Sequence, residues 1–170
     1  ENMIKCIGLS KAKDFDYEDL VDLNRFDVIQ EDVNLLYLEP INEIKNTKAI
    51  FMARLPLASG LLSGKITKKT KFSNDDHRNS WLKEERLKSL IKRIDVIKQN
   101  SDMELNILAI KFLLNLKNID KIIFGVKKIE HIKNIIDIIS DYKLNDNVIQ
   151  KFKELYEKDF GLIDEKQYSY

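Results

Sequence analysis

The sequence is poor in the residues that cross-link or interrupt a chain. Its 170 residues include 1 cysteine, 2 prolines and 5 glycines. A single cysteine, Cys6, can form no internal disulfide, so a disulfide-stabilised secreted domain is excluded and a cytoplasmic location is expected. The small share of proline and glycine also excludes collagen-like and low-complexity chains.

Two further absences concern charge of one sign and long apolar runs. The 29 basic and 28 acidic residues nearly cancel, so no net field favours nucleic acid or an anionic membrane. No apolar run reaches the roughly 18 residues of a membrane-spanning helix, and residues 1–6 lack the profile of a signal peptide. We therefore expect neither a nucleic acid nor a membrane as a partner.

What the chain does contain is enough apolar material for one core. Hydrophobic residues make up 44% and charged residues 34% of the sequence, which is typical of a globular domain. We predict a single domain over residues 1–170. Residues 66–79 are rich in threonine, lysine, serine and aspartate and are predicted to form an exposed loop.

Apolar segments with the spacing of strands alternate with segments that have the spacing of helices. The predicted strands are residues 3–9, 26–30, 49–53 and 121–125. The predicted helices are residues 17–24, 40–45, 82–98, 102–116, 129–139 and 146–159. Ser80, a capping box over residues 101–104, and Asn145 are the predicted N-terminal caps of the last helices.

The alternation of strand and helix predicts an α/β fold of parallel β/α units, with apolar strands covered on both faces. Four such units are half the number in a closed (β/α)₈ barrel, which typically needs ~250 residues. The chain is therefore predicted to form half of such a barrel.

The stretch over residues 54–65 follows directly from a predicted buried strand. Pro56 restricts the backbone, and Gly60 permits conformations that other residues resist. Ser59 and Lys65 bring a hydroxyl group and a cation to the same turn. A small-residue turn of this kind is suited to lie against a phosphate group.

Four segments in this order resemble the C-terminal half of the aldo/keto reductase family, barrel strands five to eight. The matching segments are residues 3–10, 26–30 with 34–36, 54–65, and 122–125 with 130–132. The resemblance implies the C-terminal half of a (β/α)₈ TIM barrel with four parallel strands. It also implies that NADP(H) binds at the carboxyl ends of these strands and that a small carbonyl substrate exchanges a hydride with it.

By this resemblance, Ser10 and Gln30 bind the nicotinamide carboxamide, which presents both a donor and an acceptor. Lys11 stands where the family usually has asparagine. Arg54 occupies the place where many relatives put a ring against the nicotinamide, and a guanidinium group can stack there or reach a phosphate. The alternatives are that the polar side chains are satisfied locally and that Arg54 forms an ion pair at the strand end.

The turn itself is implied to lie along the pyrophosphate. The residues implied are Pro56, Leu57, Ala58 and Ser59, through backbone and hydroxyl contacts. Lys65 would supply positive charge, and the alternative is a solvated lysine beside other lysines.

Gly125, Lys127 and Lys128 come at the end of the last strand and the start of the following helix. Two lysines beside a helix N-terminus favour the adenosine 2′-phosphate and hence NADP(H), and a solvated helix start is the alternative. His131 replaces a common glutamine near the adenine, or is a surface histidine. Ile135 stands where relatives usually carry an adenine-binding asparagine, which weakens the expected adenine contact.

No catalytic residue and no metal site are predicted in this chain. The family's tyrosine, lysine, aspartate and histidine reside on the first four strands, so the chain alone should lose roughly 10²–10⁴-fold from missing acid catalysis. Its open edges imply that the missing N-terminal barrel half or a second copy of the chain is a partner. The alternative function is a non-catalytic nucleotide-binding or assembly module.

Overall fold

The computed structural model describes residues 3–11 and 22–162. Within them, four strands form one parallel sheet in the order of the sequence. The strands are β1 (Gly8–Ser10), β2 (Val28–Asp32), β3 (Ile50–Arg54) and β4 (Lys121–Ile122). The predicted α/β fold with four parallel strands is confirmed.

The two outer strands are shorter than predicted. Each of them has one neighbour among the described strands and pairs with only part of that neighbour's length. β1 pairs with β2 over three residues, from Gly8 opposite Val28 to Ser10 opposite Gln30. β4 pairs with β3 through Met52 and Ala53. The segment over residues 121–125 therefore contains β4 but overestimates its length, and the segment over residues 3–9 overlaps β1 only at Gly8 and Leu9.

Helices fill the connections between and after the strands. They are α1 (Pro40–Glu43), α2 (Arg78–Trp81), α3 (Glu84–Gln99), α4 (Leu105–Leu114), α5 (Ile129–Ser140) and α6 (Asp146–Glu157). Short 3₁₀ turns cover Leu23–Arg25, Ile44–Asn46, Ala58–Ser63 and Asp159–Gly161. Most of the helix predicted over residues 17–24 lies outside the described residues.

Two of the three predicted helix caps are wrong. Ser80 lies inside α2, where its hydroxyl donates to the carbonyl of His77 at 2.7 Å. The Ser101 hydroxyl accepts from the amide of Met103 at 3.1 Å and closes a local turn before α4 begins. In both places a short side chain bonds to its own turn in preference to a helix end. Asn145 is confirmed as a cap, since its side chain accepts from the amide of Asn147 at 2.9 Å.

The sheet is covered by helices on one face only among the described residues. Alternate strand residues such as Ile29, Phe51 and Ala53 are buried in the core, whereas Ile50 on the other face is 46% exposed. The expectation that both faces are covered is therefore wrong for this part of the chain. Strands added in sequence order by right-handed crossovers place every connection on the same face.

α4 and α5 both carry many apolar residues, but only α4 is buried. Leu108, Phe112 and Leu113 of α4 have at most 1% of their surface exposed. In α5 only Ile138 is buried, and Ile135 is half-buried. Four further isoleucines of α5, which form most of the predicted apolar face, are exposed: Ile129, Ile132, Ile136 and Ile139.

The end of the described chain is fixed to α3 by a buried ion pair. The Arg93 guanidinium, 4% exposed, donates to both carboxylate oxygens of Asp159 at 2.8 and 2.6 Å. Arg93 also donates to the Ser89 hydroxyl at 2.6 Å. None of the helices in the described part is long and apolar enough to cross a membrane.

The contrast between α4 and α5 leads to a stability prediction. Phe112→Ala should lower the free energy of unfolding by about 3–5 kcal/mol, because it opens a cavity beside Phe152, whose ring lies 6.4 Å away. Ile132→Ala should cost less than about 1 kcal/mol in the same chain, since its side chain already meets water. Urea denaturation followed by circular dichroism measures both changes. Equal losses would show that the apolar face of α5 is covered in solution.

Candidate functional site at the carboxyl ends of the strands

Three residues expected to bind the nicotinamide meet in the structure. Ser10 ends β1, and it is opposite Gln30 in β2. The Ser10 hydroxyl oxygen accepts from Arg54 Nη1 at 2.9 Å and from Gln30 Nε2 at 3.4 Å. Because a hydroxyl has two acceptor positions and one proton, Ser10 can still donate its proton to a ligand.

Arg54 forms an ion pair at the strand end, which was the alternative to a contact with the nicotinamide. Its Nε donates to Oδ1 of Asp32, the residue opposite it in β2, and its Nη2 donates to the carbonyl of Lys11 at 2.7 Å. One guanidinium therefore connects the ends of β1, β2 and β3. Asp32 was missed from the sequence, although it lies two residues after Gln30 and must therefore share its face of the strand.

The side chain of Lys11, which replaces the family's usual asparagine, points away from this cluster. Its ammonium group pairs with Glu43 and, at 3.1 Å, with Glu31, and Lys11 is 6% exposed. Burial alone would lower the pKa of Lys11, but the two carboxylates outweigh it and raise that pKa. Burial raises the pKa of Glu31, and the neighbouring Glu43 and Asp32 carboxylates add to this rise while Lys11 opposes it. Lys11 therefore takes part in a structural ion network.

The loop after β3 has an unusual backbone. Leu55, Ala58 and Ser59 have φ of 52°, 50° and 51°, and Gly60 has φ of 93°. Left-handed conformations of this kind cost a non-glycine residue of order 1 kcal/mol each and need support from their surroundings. Part of that support comes from the buried Asn34, whose side-chain amide donates to the carbonyl of Leu55 at 3.3 Å.

Arg78 supports the same loop from the other side, a role that the sequence did not predict. Its Nη1 donates to the carbonyl of Ser59 at 3.1 Å, and its guanidinium lies 4.6 Å from the centre of the Phe72 ring. Asp76 fixes Arg78 through hydrogen bonds of 2.9 and 2.5 Å. The Arg78 side chain and backbone amide hold the pKa of Asp76 well below its usual range.

Lys65 lies beside an open cavity of about 530 Å³ next to this loop. Gly60, Ser63, Phe72 and Arg78 are among its other lining residues. A β-carbon at Gly60 would lie 3.3 Å from Arg78 Nη1, which is a tight contact, and the φ of 93° is a conformation that other residues rarely adopt. The cavity combines hydroxyl groups with the basic residues Lys65, Lys71 and Arg78 and the one carboxylate of Asp76, a lining that is positive on balance and compatible with a phosphate.

The residues that were predicted to bind the 2′-phosphate lie at the start of α5. Gly125, Lys127 and Lys128 follow β4 and are exposed, and Lys128 is the N-terminal flanking residue of the helix. The Lys128 side chain makes no capping hydrogen bond, while the His131 amide of the first turn donates to the Lys128 carbonyl at 3.1 Å. His131 is an exposed residue of the first turn.

The arrangement offers donors and acceptors for an anionic, amide-bearing ligand. A hydroxyl proton on Ser10 and an amide oxygen on Gln30 are available at the strand ends, and lysines stand at Lys65 and at the start of α5. In residues 3–11 and 22–162, no three histidine, cysteine, aspartate or glutamate side chains are grouped as metal ligands would be.

The sequence model of the aldo/keto reductase family matches residues 3–157 of the chain. No curated protein sequence matches it significantly. Among solved structures, the glycerol dehydrogenase AKR11B4 from Gluconobacter oxydans is similar with a TM-score of 0.64 and 16% identity, over 84% of this chain and 45% of that one.

The aldo-keto reductase AKR11C1 from Bacillus halodurans is similar in two forms. Its apo form gives a TM-score of 0.60 with 17% identity over 82% of this chain and 45% of that one. Its holo form gives 0.58 with 18% identity over 76% and 41%. At these identities the likeness shows the fold, and the chain spans less than half the length of the structures it matches.

The bond between Asp76 and Arg78 predicts a pH dependence of stability. Asp76→Asn should lower the urea midpoint at neutral pH, because the carboxylate that fixes Arg78 is lost. The pKa of Asp76 is lowered on folding, so its contribution is complete above the unfolded value of about 4 and is lost as the pH falls through the folded value. The difference between wild type and variant should shrink from about pH 5 to about pH 3.

The matched control repeats the substitution in an Arg78→Met background. Without the guanidinium, replacing Asp76 should change the midpoint less and with a smaller dependence on pH, because only the backbone amide of residue 78 still bonds to the carboxylate. The same pH-dependent difference in both backgrounds would contradict this role of the pair.

Proposed function

The chain belongs to the aldo/keto reductase family, and from that membership we propose that it is the cofactor-binding C-terminal half of an NADP(H)-dependent oxidoreductase. The proposed substrate is a small carbonyl compound. One observation carries the proposal: Ser10, Gln30 and Arg54 come together at the ends of three adjacent parallel strands, directly before the turn over residues 56–65. In parallel β/α folds, ligands bind at this end of the strands.

Two observations support the idea of half a barrel. The four strands follow one another in sequence order with helices on one face only, as consecutive strands of a barrel do. The chain also spans 45% or less of the structures that it resembles. The remaining strands would come from a longer polypeptide or from a second copy of the chain.

The open surfaces of the described residues are where such a partner would pack. Ile50 is exposed on the uncovered face of the sheet, and α5 exposes most of its apolar side after β4. Contact with further β/α units would bury these residues and pair the free edges of β1 and β4. The proposed partner is therefore a barrel half, with no nucleic acid and no membrane.

In the proposed site, Ser10 donates its proton to the carbonyl of the carboxamide and Gln30 accepts from the carboxamide nitrogen. Pro56, Leu57, Ala58 and Ser59 would line the pyrophosphate, with Lys65 nearby. The bound NADP(H) would supply or accept the hydride. The residues of this chain bind and orient, while a proton donor for the carbonyl oxygen would come from the other half of the barrel.

The second contact region of the proposal is the start of α5. Gly125, Lys127 and Lys128 would hold the 2′-phosphate through backbone amides and two ammonium groups, and His131 would lie near the adenine. A cytoplasmic location belongs to the same proposal, because Cys6 is an exposed free thiol, which suits a reducing compartment.

A second candidate is a non-catalytic nucleotide-binding or assembly module. One observation favours it: the donor groups of Arg54 are already used by Asp32, Ser10 and the Lys11 carbonyl. In that case Arg54 would serve chiefly to hold three strand ends together. Adding an N-terminal half from a relative separates the two candidates, because only the first should then gain carbonyl reductase activity.

A fluorescence titration with NADPH tests the proposed cofactor. The folded chain should bind NADPH in a saturable manner. Lys127→Glu combined with Lys128→Glu should lower the affinity for NADPH by at least about tenfold and leave the affinity for NADH nearly unchanged, because only NADPH carries the 2′-phosphate.

The matched control is Lys117→Glu combined with Lys143→Glu. It makes the same change in net charge. Lys117 lies before the start of β4 and Lys143 after the end of α5, and both are exposed. It should leave both affinities unchanged. Equal losses for NADPH and NADH in the Lys127 and Lys128 variant would count against the 2′-phosphate assignment, and no binding by the folded wild-type chain would remove the cofactor proposal.

A further inference from the structure

The ion pair of Asp32 and Arg54 lies on the same face and at the same end of the sheet as Ser10 and Gln30. Asp32 in β2 is opposite Arg54 in β3. Ser10 is opposite Gln30, and Asp32 lies two residues beyond Gln30 in the same strand. Their side chains are 15% and 28% exposed, so they are partly shielded and still open to that face. The pair is therefore next to any ring bound at Ser10 and Gln30.

Arg54 cannot move its charge away from this position without breaking several contacts. Its three nitrogens donate to three different acceptors: the carboxylate of Asp32, the hydroxyl of Ser10 at 2.9 Å and the carbonyl of Lys11 at 2.7 Å. The positive and negative charges of the pair are thereby fixed side by side, and together they are neutral. Removal of either one would leave a single charge at the same place.

We infer that the Asp32 and Arg54 pair determines how the site discriminates between the oxidised and the reduced nicotinamide. This inference rests on the proposed function, in which the nicotinamide lies at Ser10 and Gln30. The oxidised ring carries a positive charge and the reduced ring is neutral, while the rest of the two cofactors is the same. A neutral pair leaves the affinity ratio of NADP⁺ to NADPH near balance, and a lone charge shifts it.

The two single substitutions should shift the ratio in opposite directions. Asp32→Asn leaves the guanidinium unopposed, so the affinity for NADP⁺ should fall relative to the affinity for NADPH. Arg54→Met leaves the carboxylate unopposed, so the affinity for NADP⁺ should rise relative to the affinity for NADPH. Each shift should be at least about threefold, which is what Coulomb's law gives even in bulk water for two unit charges about 7 Å apart.

The experiment measures the dissociation constants of NADPH and NADP⁺ for wild type, both single variants and the double variant. In Asp32→Asn with Arg54→Met the site is neutral again, so the ratio should return to within about twofold of wild type. Asp141→Asn makes the same charge change at an exposed carboxylate on the far end of α5 and should leave the ratio unchanged.

The ratio separates an electrostatic role from a merely structural one. If the pair only held the strand ends together, each variant would weaken both cofactors equally and the ratio would stay constant, which would overturn the inference. Such a result would leave the proposed function standing, because cofactor would still bind to the wild type. Failure of the wild type to bind either cofactor would overturn both.

Discussion

Parallel pairing of four strands in their sequence order is the constraint on which the rest of the structure depends. It places the carboxyl ends of β1, β2 and β3 side by side, so that residues 44 positions apart in sequence, such as Ser10 and Arg54, share a hydrogen bond. It also sends the described connections, from β2 to β3 and from β3 to β4, to one face of the sheet. The gathered strand ends and the uncovered face are two consequences of the same topology.

The strained loop after β3 depends in turn on that sheet. Left-handed residues at Leu55, Ala58 and Ser59 persist because Asn34 and Arg78 bond to the carbonyls of Leu55 and Ser59. Asn34 follows β2 and Arg78 starts α2, so two separate elements hold the backbone in a shape that the local sequence alone would not favour. A loop fixed in this way would lose little further entropy on binding the proposed cofactor.

The sequence predicted the parallel strands and most helices because apolar periodicity reports which residues are buried. It misplaced the caps at Ser80 and Ser101 because a short hydroxyl side chain bonds equally well to a turn or to a helix end. It predicted Ser10, Gln30 and Arg54 through resemblance to a family, but not the partner Asp32, since strand register decides which residues are opposite. The open face of the sheet and the exposed side of α5 depend on chain topology, which periodicity does not report.

Hydrogen–deuterium exchange of the folded chain with and without NADPH tests the central proposal that a nucleotide binds at the strand ends, the loop after β3 and the start of α5. The account predicts slower exchange on NADPH addition at residues 54–65 and 125–131, with a smaller change in α3. Saturable binding accompanied by protection elsewhere, or by no protection at residues 54–65, would contradict it.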